Sequence, residues 1–185
     1  MDNQRKAKLE DVYRKHSKSL YHYLLRLTGS SSVAEDLVQE TFYKATLSLT
    51  FYQDQEVKSW LFKVARHTYL DAWRKRKRWE WIPFIEILHN HEDMTSPYEQ
   101  PEDYAVSKES REDLTLLFKQ LTETYRTILY LRDEEGLSYK ELSEALEINE
   151  NQVKVTLHRA RKRLHQLASR HHQKERKVVH DRTVD

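Results

Sequence analysis

No cysteine occurs in the chain of 185 residues. Disulfides, zinc knuckles and thiol catalysis are therefore excluded, and the usage suits a reducing cytoplasm. Glycine is almost as scarce: Gly29 and Gly136 are the only two. A phosphate-cradling Walker loop or a dinucleotide fingerprint needs several glycines within a few positions, so nucleotide-fold enzymes are nearly excluded. Only three prolines interrupt the chain. No apolar run approaches the ~18 residues of a membrane span, and the N-terminus lacks a signal-peptide core, so no membrane insertion is expected. What remains is a charged sequence, 34% Asp, Glu, Lys and Arg. Few helix breakers and abundant charge predict a mostly helical, soluble protein.

The net charge of +2 conceals a segmental pattern. Arg66 to Arg78 carries six Lys/Arg and one acid, Asp71. Glu80 to Asp113 carries ten acids and two bases, and Glu150 to Arg182 ten bases and three acids. One charged run is usually a solvated face; basic, acidic, basic in sequence suggests two polyanion-binding surfaces separated by an acidic connector.

Apolar spacing divides the chain into helices. Leu9, Val12, Tyr13, Leu20, Tyr23, Leu24 and Leu27 mark the first, ending near Gly29. Ser32 with Glu35 forms the pattern of a capping box, and Val33, Leu37, Val38, Phe42 and Ala45 line the second helix. After a break around Thr50 to Gln55, Val57, Trp60, Leu61, Val64 and Ala65 line a third. Trp79 to about Pro101 reads as a linker with one short apolar segment, WIPFIEIL. Leu114, Leu117, Phe118 and Leu121 then give one helix, and Tyr125, Ile128 and Leu129 another, with Gly136 suited to the position just past its end.

Leu137 to Leu164 reads as two helices with a tight joint. Ser138 and Glu141 form one capping signature, Asn149 and Gln152 a second. Val153, Leu157, Ala160, Leu164 and Leu167 make one buried stripe of the second helix, which leaves Asn151, Gln152, Lys154, Val155, Thr156, His158, Arg159 and Lys162 on the other side. Amides and bases exposed near the start of the second of two short helices suit a helix-turn-helix; a solvated helical hairpin has the same spacing. After about His171 the tail is basic, weakly periodic and expected to fray. In VKSWLFKVARHTYLDAWRKRKR, bases interleave with Trp60, Phe62, His67, Tyr69 and Trp73. Aromatic faces that stack on bases, beside cations that follow phosphates, suit single-stranded nucleic acid; Trp60 falls on the buried stripe and is read as structural.

Three segments together, AEDLVQETFYKA (34–45), the basic–aromatic segment (57–78) and EGLSYKELSEALEINENQVKVTLHRARKRL (135–164), resemble the extracytoplasmic-function sigma factors of bacterial RNA polymerase, the group 4 members of the sigma-70 family. The resemblance runs from Leu9 to Leu167 with the motifs in the family's order. It implies an all-α fold of two helical domains joined by an acidic linker: a sigma2-like domain over 1–78, the linker over 79–108, a sigma4-like helix-turn-helix domain over 109–172 and a basic tail over 173–185. It further implies that Asp36, Gln39, Glu40 and Phe42 bind the β′ clamp helices of the core polymerase. Phe51, Lys63, Arg66, His67, Asp71, Trp73 and Arg74 would recognise and melt the −10 element, with Phe51 and the neighbourhood of His67 capturing a base flipped from the non-template strand. Asn151, Gln152, Lys154, Val155, Thr156 and Arg159 would read the −35 element as duplex. The linker would thread the polymerase channel, imitating a nucleic-acid backbone with its acids. Core polymerase (β′ clamp helices and β flap), promoter DNA and an anti-sigma factor are the implied partners. The implied location is the cytoplasm, on the nucleoid or held at the membrane by the anti-sigma factor, and the implied setting is a stress response.

The sequence departs from the family pattern at three places. His67 stands where Asn is common, Glu147 where the turn usually has Gly, and Val155–Thr156 where Ser–Arg is usual. The first puts the preferred base in doubt, the second requires a less strained turn or a small energetic cost, and the third exchanges polar contacts for apolar ones that suit a thymine methyl.

The competing reading is a helix-turn-helix regulator that binds duplex operators with no sigma role, and the basic–aromatic segment speaks against it. A purely protein-binding helical adaptor would lack salt-sensitive affinity for nucleic acid. An enzyme would need a site: His89, His91 and Glu92 sit in the linker without a scaffold, and His171–His172 in the tail. These read as solvated histidines, so no catalytic residue, metal or cofactor is expected.

Overall fold

The structure is a computed structural model that describes residues 3–48, 57–79 and 116–182. The break at 50–55 with Phe51, the stretch 80–115 that holds most of the acidic linker with His89, His91 and Glu92, Leu114 of the next helix, and the side chain of His172 lie outside the described residues.

Every described element is helical: α1 Asn3–Thr28, α2 Ser31–Ser48, α3 Val57–Trp79, α4 Glu123–Leu129, a π-helical turn Tyr130–Glu134, α5 Tyr139–Leu146 and α6 Glu150–Arg182. A single helical turn at 116–119 precedes α4. α1 ends where expected, because Gly29 takes the left-handed conformation (φ 72°) that a side chain resists, and its N–H donates to Leu25 O at 2.8 Å. α2 starts two residues earlier than the Ser32–Glu35 pattern predicts. Ala34 N–H donates to Ser30 O at 3.0 Å, so Ser30 takes the capping position. Both later caps form as predicted: Ser138 and Glu141 exchange side chain for backbone in a capping box, and Asn149 and Gln152 do the same at 2.9 Å each way.

Two helices differ from expectation. α6 does not stop near Leu167; it runs on through Arg182, so the tail from 173 that was expected to fray is helical. The weak apolar periodicity there hid this, since that stretch of helix needs no buried stripe to be built from good helix formers such as Lys, Arg, Glu and Gln. The segment after α4 winds into a π turn, with Glu135 N–H on Tyr130 O and Leu137 N–H on Leu131 O. Gly136 (φ 70°) completes that return, as the sequence predicts.

α1, α2 and α3 pack on one another through Leu20, Leu24, Leu27, Val38, Leu61 and Ala65, each essentially solvent-free. α4, α5 and α6 enclose Ile128, Leu142, Leu146, Val153, Leu157 and Ala160. Of the predicted stripe of α6, Leu164 is only half-buried. The two groups of helices also pack against each other: α3 lies on α5, and α1 on α4. Tyr23 of α1 is at the centre of that contact, its ring 5.5 Å from Phe62 and 5.6 Å from Tyr130. Each such aromatic pair adds about 0.5–1.5 kcal/mol beyond the area it buries.

This contact corrects one expectation. Phe62 and Tyr69 interleave with bases in sequence and were candidates for stacking on DNA, yet both are buried. α3 is covered on two sides, by α1 and α2 and by the second group of helices, so a single apolar stripe understates its buried surface.

Candidate nucleic-acid interface

The outer face of α2 presents Asp36, Gln39 and Glu40, all exposed. Phe42 does not belong with them: it is buried, its ring 4.7 Å from that of Tyr13. It holds α2 in place from beneath. The apolar edge of this face comes instead from Tyr43 and Leu47, 68% and 67% exposed. The spacing that placed Phe42 on the inner stripe already signalled its burial, and Tyr43 and Leu47 fall one and five positions further on. Glu40 pairs with Lys44 at 2.9 Å, and Lys44 also reaches Thr68 of α3. A cavity of about 200 Å3 opens between α2 and α3, lined by Val33, Asp36 and Leu37 on one side and Tyr69, Ala72 and Trp73 on the other.

The basic face of α3 carries Lys63, Arg66, His67, Asp71, Trp73 and Arg74. Trp73 is 41% exposed. Asp71 binds Arg74 at 2.9 Å, one turn away on the same helix, and holds that guanidinium along the helix. Lys63, Arg66 and His67 turn to the second group of helices. Arg66 grips Glu123 of α4 with two parallel bonds, Nε to Oε1 at 2.8 Å and Nη2 to Oε2 at 3.1 Å. Thr127 donates its hydroxyl proton to the same carboxylate at 2.9 Å and so accepts from the Tyr23 hydroxyl at 3.0 Å. Burial opposes charge on Arg66, but the Glu123 carboxylate outweighs it and raises the pKa. Burial pushes the Tyr23 phenol up, so it is a neutral donor at any physiological pH.

Lys63 and His67 converge on one carboxylate. Glu147 Oε1 accepts from Lys63 at 2.8 Å, and Oε2 lies 2.6 Å from His67 Nε2. Glu147 ends α5 in the left-handed conformation, φ 57° and ψ 42°, the one positive-φ residue other than glycine among the described residues. That conformation costs a side-chain-bearing residue roughly 1–2 kcal/mol. The Lys63 hydrogen bond, against a small desolvation, and then the His67 contact keep the Glu147 carboxyl below its usual range. No short-range pattern joins His67 to Glu147, 80 residues later, or Arg66 to Glu123; sequence reading marks the cations and Glu147 as a turn residue, but misses Glu123 and both pairings.

α5, the turn 147–149 and α6 form the expected helix pair. Ile148 N–H and Ser143 Oγ–H close the turn on Ser143 O and Ile148 O. Val153, Leu157 and Ala160 point inward, which leaves Asn151, Gln152, Lys154, Val155 and Arg159 exposed and Thr156 half-exposed. Val155 is 49% exposed. Lys154 Nζ stands 5.9 Å from the Tyr139 ring, whose other neighbour is the Arg132 guanidinium at 5.2 Å. Exposed amides, a methyl-rich patch and two cations at the start of a long helix match the donors and apolar contacts that read base edges in a major groove.

The family model described as Sigma-70 region 2 matches residues 12–79, and the one described as Sigma-70, region 4 matches residues 111–164. The chain is 32% identical over 169 residues to the RNA polymerase sigma factor YlaC of Bacillus subtilis, covering 91% of this chain and 96% of that protein. It is 34% identical over 163 residues to the ECF RNA polymerase sigma factor SigM of the same organism, covering 88% and 96%. In three dimensions it is similar to the sigma factor RpoE in its complex with the anti-sigma factor NepR from Bartonella quintana, with a TM-score of 0.66 at 24% identity over 91% of this chain and 98% of that one.

Proposed function

The chain belongs to the extracytoplasmic-function sigma factors of the sigma-70 family, and from that premise we propose how its surfaces divide the work of initiation. It is a transcription initiation factor that directs RNA polymerase to promoters; this membership disfavours an operator-binding regulator with no sigma role. The first domain, over 1–78, takes the β′ clamp helices on the α2 face of Asp36, Gln39 and Glu40, with Tyr43 and Leu47 supplying the apolar edge. The β flap is the second domain's contact with polymerase. Lys63, Arg66, His67, Trp73 and Arg74 hold the melted −10 strand, with Asp71 orienting Arg74 and Phe51 completing the base pocket. The domain over 109–172 lays the start of α6 in the −35 major groove, and residues 79–108 connect the two as an acidic strand in the channel.

The observation that carries this reading is the start of α6: a capped helix with its apolar stripe sunk and Asn151, Lys154, Val155 and Arg159 in solvent. No helix among the described residues is long and apolar enough to cross a membrane. We place the factor in the cytoplasm, on the nucleoid or held at the membrane, and assign it an anti-sigma partner of the kind bound to RpoE in its solved structure.

Transcription by purified core polymerase on a genomic promoter library tests the function. Adding the chain should yield discrete start sites preceded by shared −35 and −10 elements; no start above that of core alone defeats the reading. With a promoter so identified, His67→Ala should impair permanganate reactivity of the −10 region more than closed-complex binding, because only the melted strand offers a base to capture.

A further inference from the structure

We propose that Glu147 is a latch: its carboxylate, with that of Glu123, occupies the cations of α3 in place of promoter phosphates and bases, so the free chain is held closed and releases its −10 surface only when the two domains part. The inference rests on the assignment of α3 to DNA made above.

Three observations converge. Lys63, Arg66 and His67 each pair with a carboxylate of the other domain, Arg66 largely buried and Lys63 and His67 partly exposed. Glu147 Oε1 and Oε2 each take a separate nitrogen, the disposition in which two oxygens of a phosphate meet neighbouring bases. Glu147 is placed there by a strained left-handed residue, and strain of this kind persists where surrounding contacts hold it. Glycine would serve the turn without strain but would bring no carboxylate to Lys63 and His67. The turn between the helices that read the −35 element is therefore also what covers the −10 residues. Neither α3 nor the turn can serve DNA fully while the contact stands, since the same side chains cannot bind both anions.

The lack of cysteine allows clean labelling of the full chain. A donor and acceptor on Arg14→Cys and Arg170→Cys, both exposed positions, report the separation of the domains. The Glu123→Gln/Glu147→Gln variant keeps both side-chain shapes and removes both charges. It should lower energy transfer and bind a fluorescein-labelled pool of randomised single-stranded DNA about tenfold more tightly, as an open fraction rising from about a tenth to near one requires. Glu147→Gly should act in the same direction, and the exchange Lys63→Glu/Glu147→Lys should restore high energy transfer with weak binding. Unchanged energy transfer in the double variant, with unchanged helicity, overturns the latch. Opening without tighter binding overturns the competition. Transcription with core polymerase, measured on the same proteins, reports the sigma function separately: a wild-type chain inactive there yet opened by the double variant would condemn the assignment of function and leave the closure standing.

Discussion

Arg159 and His16 show how differently two basic side chains on helices act. Arg159 is exposed near the start of α6 and free to meet DNA from the outer face. If it grips a guanine edge, Arg159→Ala should cost about 1–3 kcal/mol and relax preference at one base pair; if it holds phosphate, affinity should fall for all sequences and the salt slope by about one. Affinity over a −35 mutant panel at two salt concentrations separates the two, and a variant with wild-type affinity, specificity and slope removes Arg159 from the interface. His16 is buried in α1, and burial first, then the charges of Lys15 and Lys58, keep its pKa below the usual 6.5; Glu135 and Asp11 oppose this weakly. The folded chain therefore refuses a proton that the unfolded chain accepts. Stability is full above pH 6.5 and falls as the pH drops below it toward the lowered folded value. Urea midpoints taken from pH 7 down to about 5 should fall more steeply for the wild type than for His16→Gln; parallel profiles would show that His16 does not carry the dependence.

At the scale of the element, the helix pair 139–182 stands on local chemistry. Ser138 Oγ caps Glu141 N–H at 3.2 Å while the Glu141 carboxylate takes the Ser138 N–H at 2.7 Å. Ser138→Ala should cost about 1 kcal/mol of stability, as loss of a cap generally does, and denaturant melting would register it; a loss below a few tenths would mean that packing of Leu142 and Leu146 fixes α5 by itself. Because such signals span three or four residues, the sequence declared the helices, the two caps, both glycine ends and the inward stripe of α6. It was less informative where a helix is wedged between two partners. Phe62 and Tyr69 lie off the stripe of Trp60, Leu61 and Ala65, yet both are buried, Phe62 against Tyr23 of α1 and Tyr130 of the π turn and Tyr69 beside Val33 and Leu37 of α2 and Arg126 of α4. The site followed the same division. The cations of α3 are visible in a line of sequence, whereas Glu123 and Glu147 become their partners through packing that no spacing encodes.

For the whole molecule, the closed arrangement combines aromatic packing around Tyr23 with ion pairs of unequal exposure. Arg66–Glu123 is mostly buried and little screened; Lys63–Glu147 and His67–Glu147 are a third to a half exposed. Glu147 faces Lys63, Arg66 and His67 from α3, and its lowered pKa means that closure favours the carboxylate. That contribution is present above its ordinary value of 4.5 and is lost as the pH falls through the lowered one. Energy transfer in the labelled chain should thus drop as the pH falls from 4.5 through the lowered value, and Glu147→Gln should flatten that acid limb; an acid limb identical in both proteins would place the titration elsewhere. The left-handed turn at Glu147 also bears on how such proteins can be recombined. Grafted onto another first domain, this helix-turn-helix would bring a carboxylate to a surface without His67 and Lys63, and this first domain, joined to a turn with glycine, would lose its cover. Chimeras that exchange either half alone should therefore differ from both parents in how readily they engage DNA, because what looks in the sequence like two separable cassettes shares one joint.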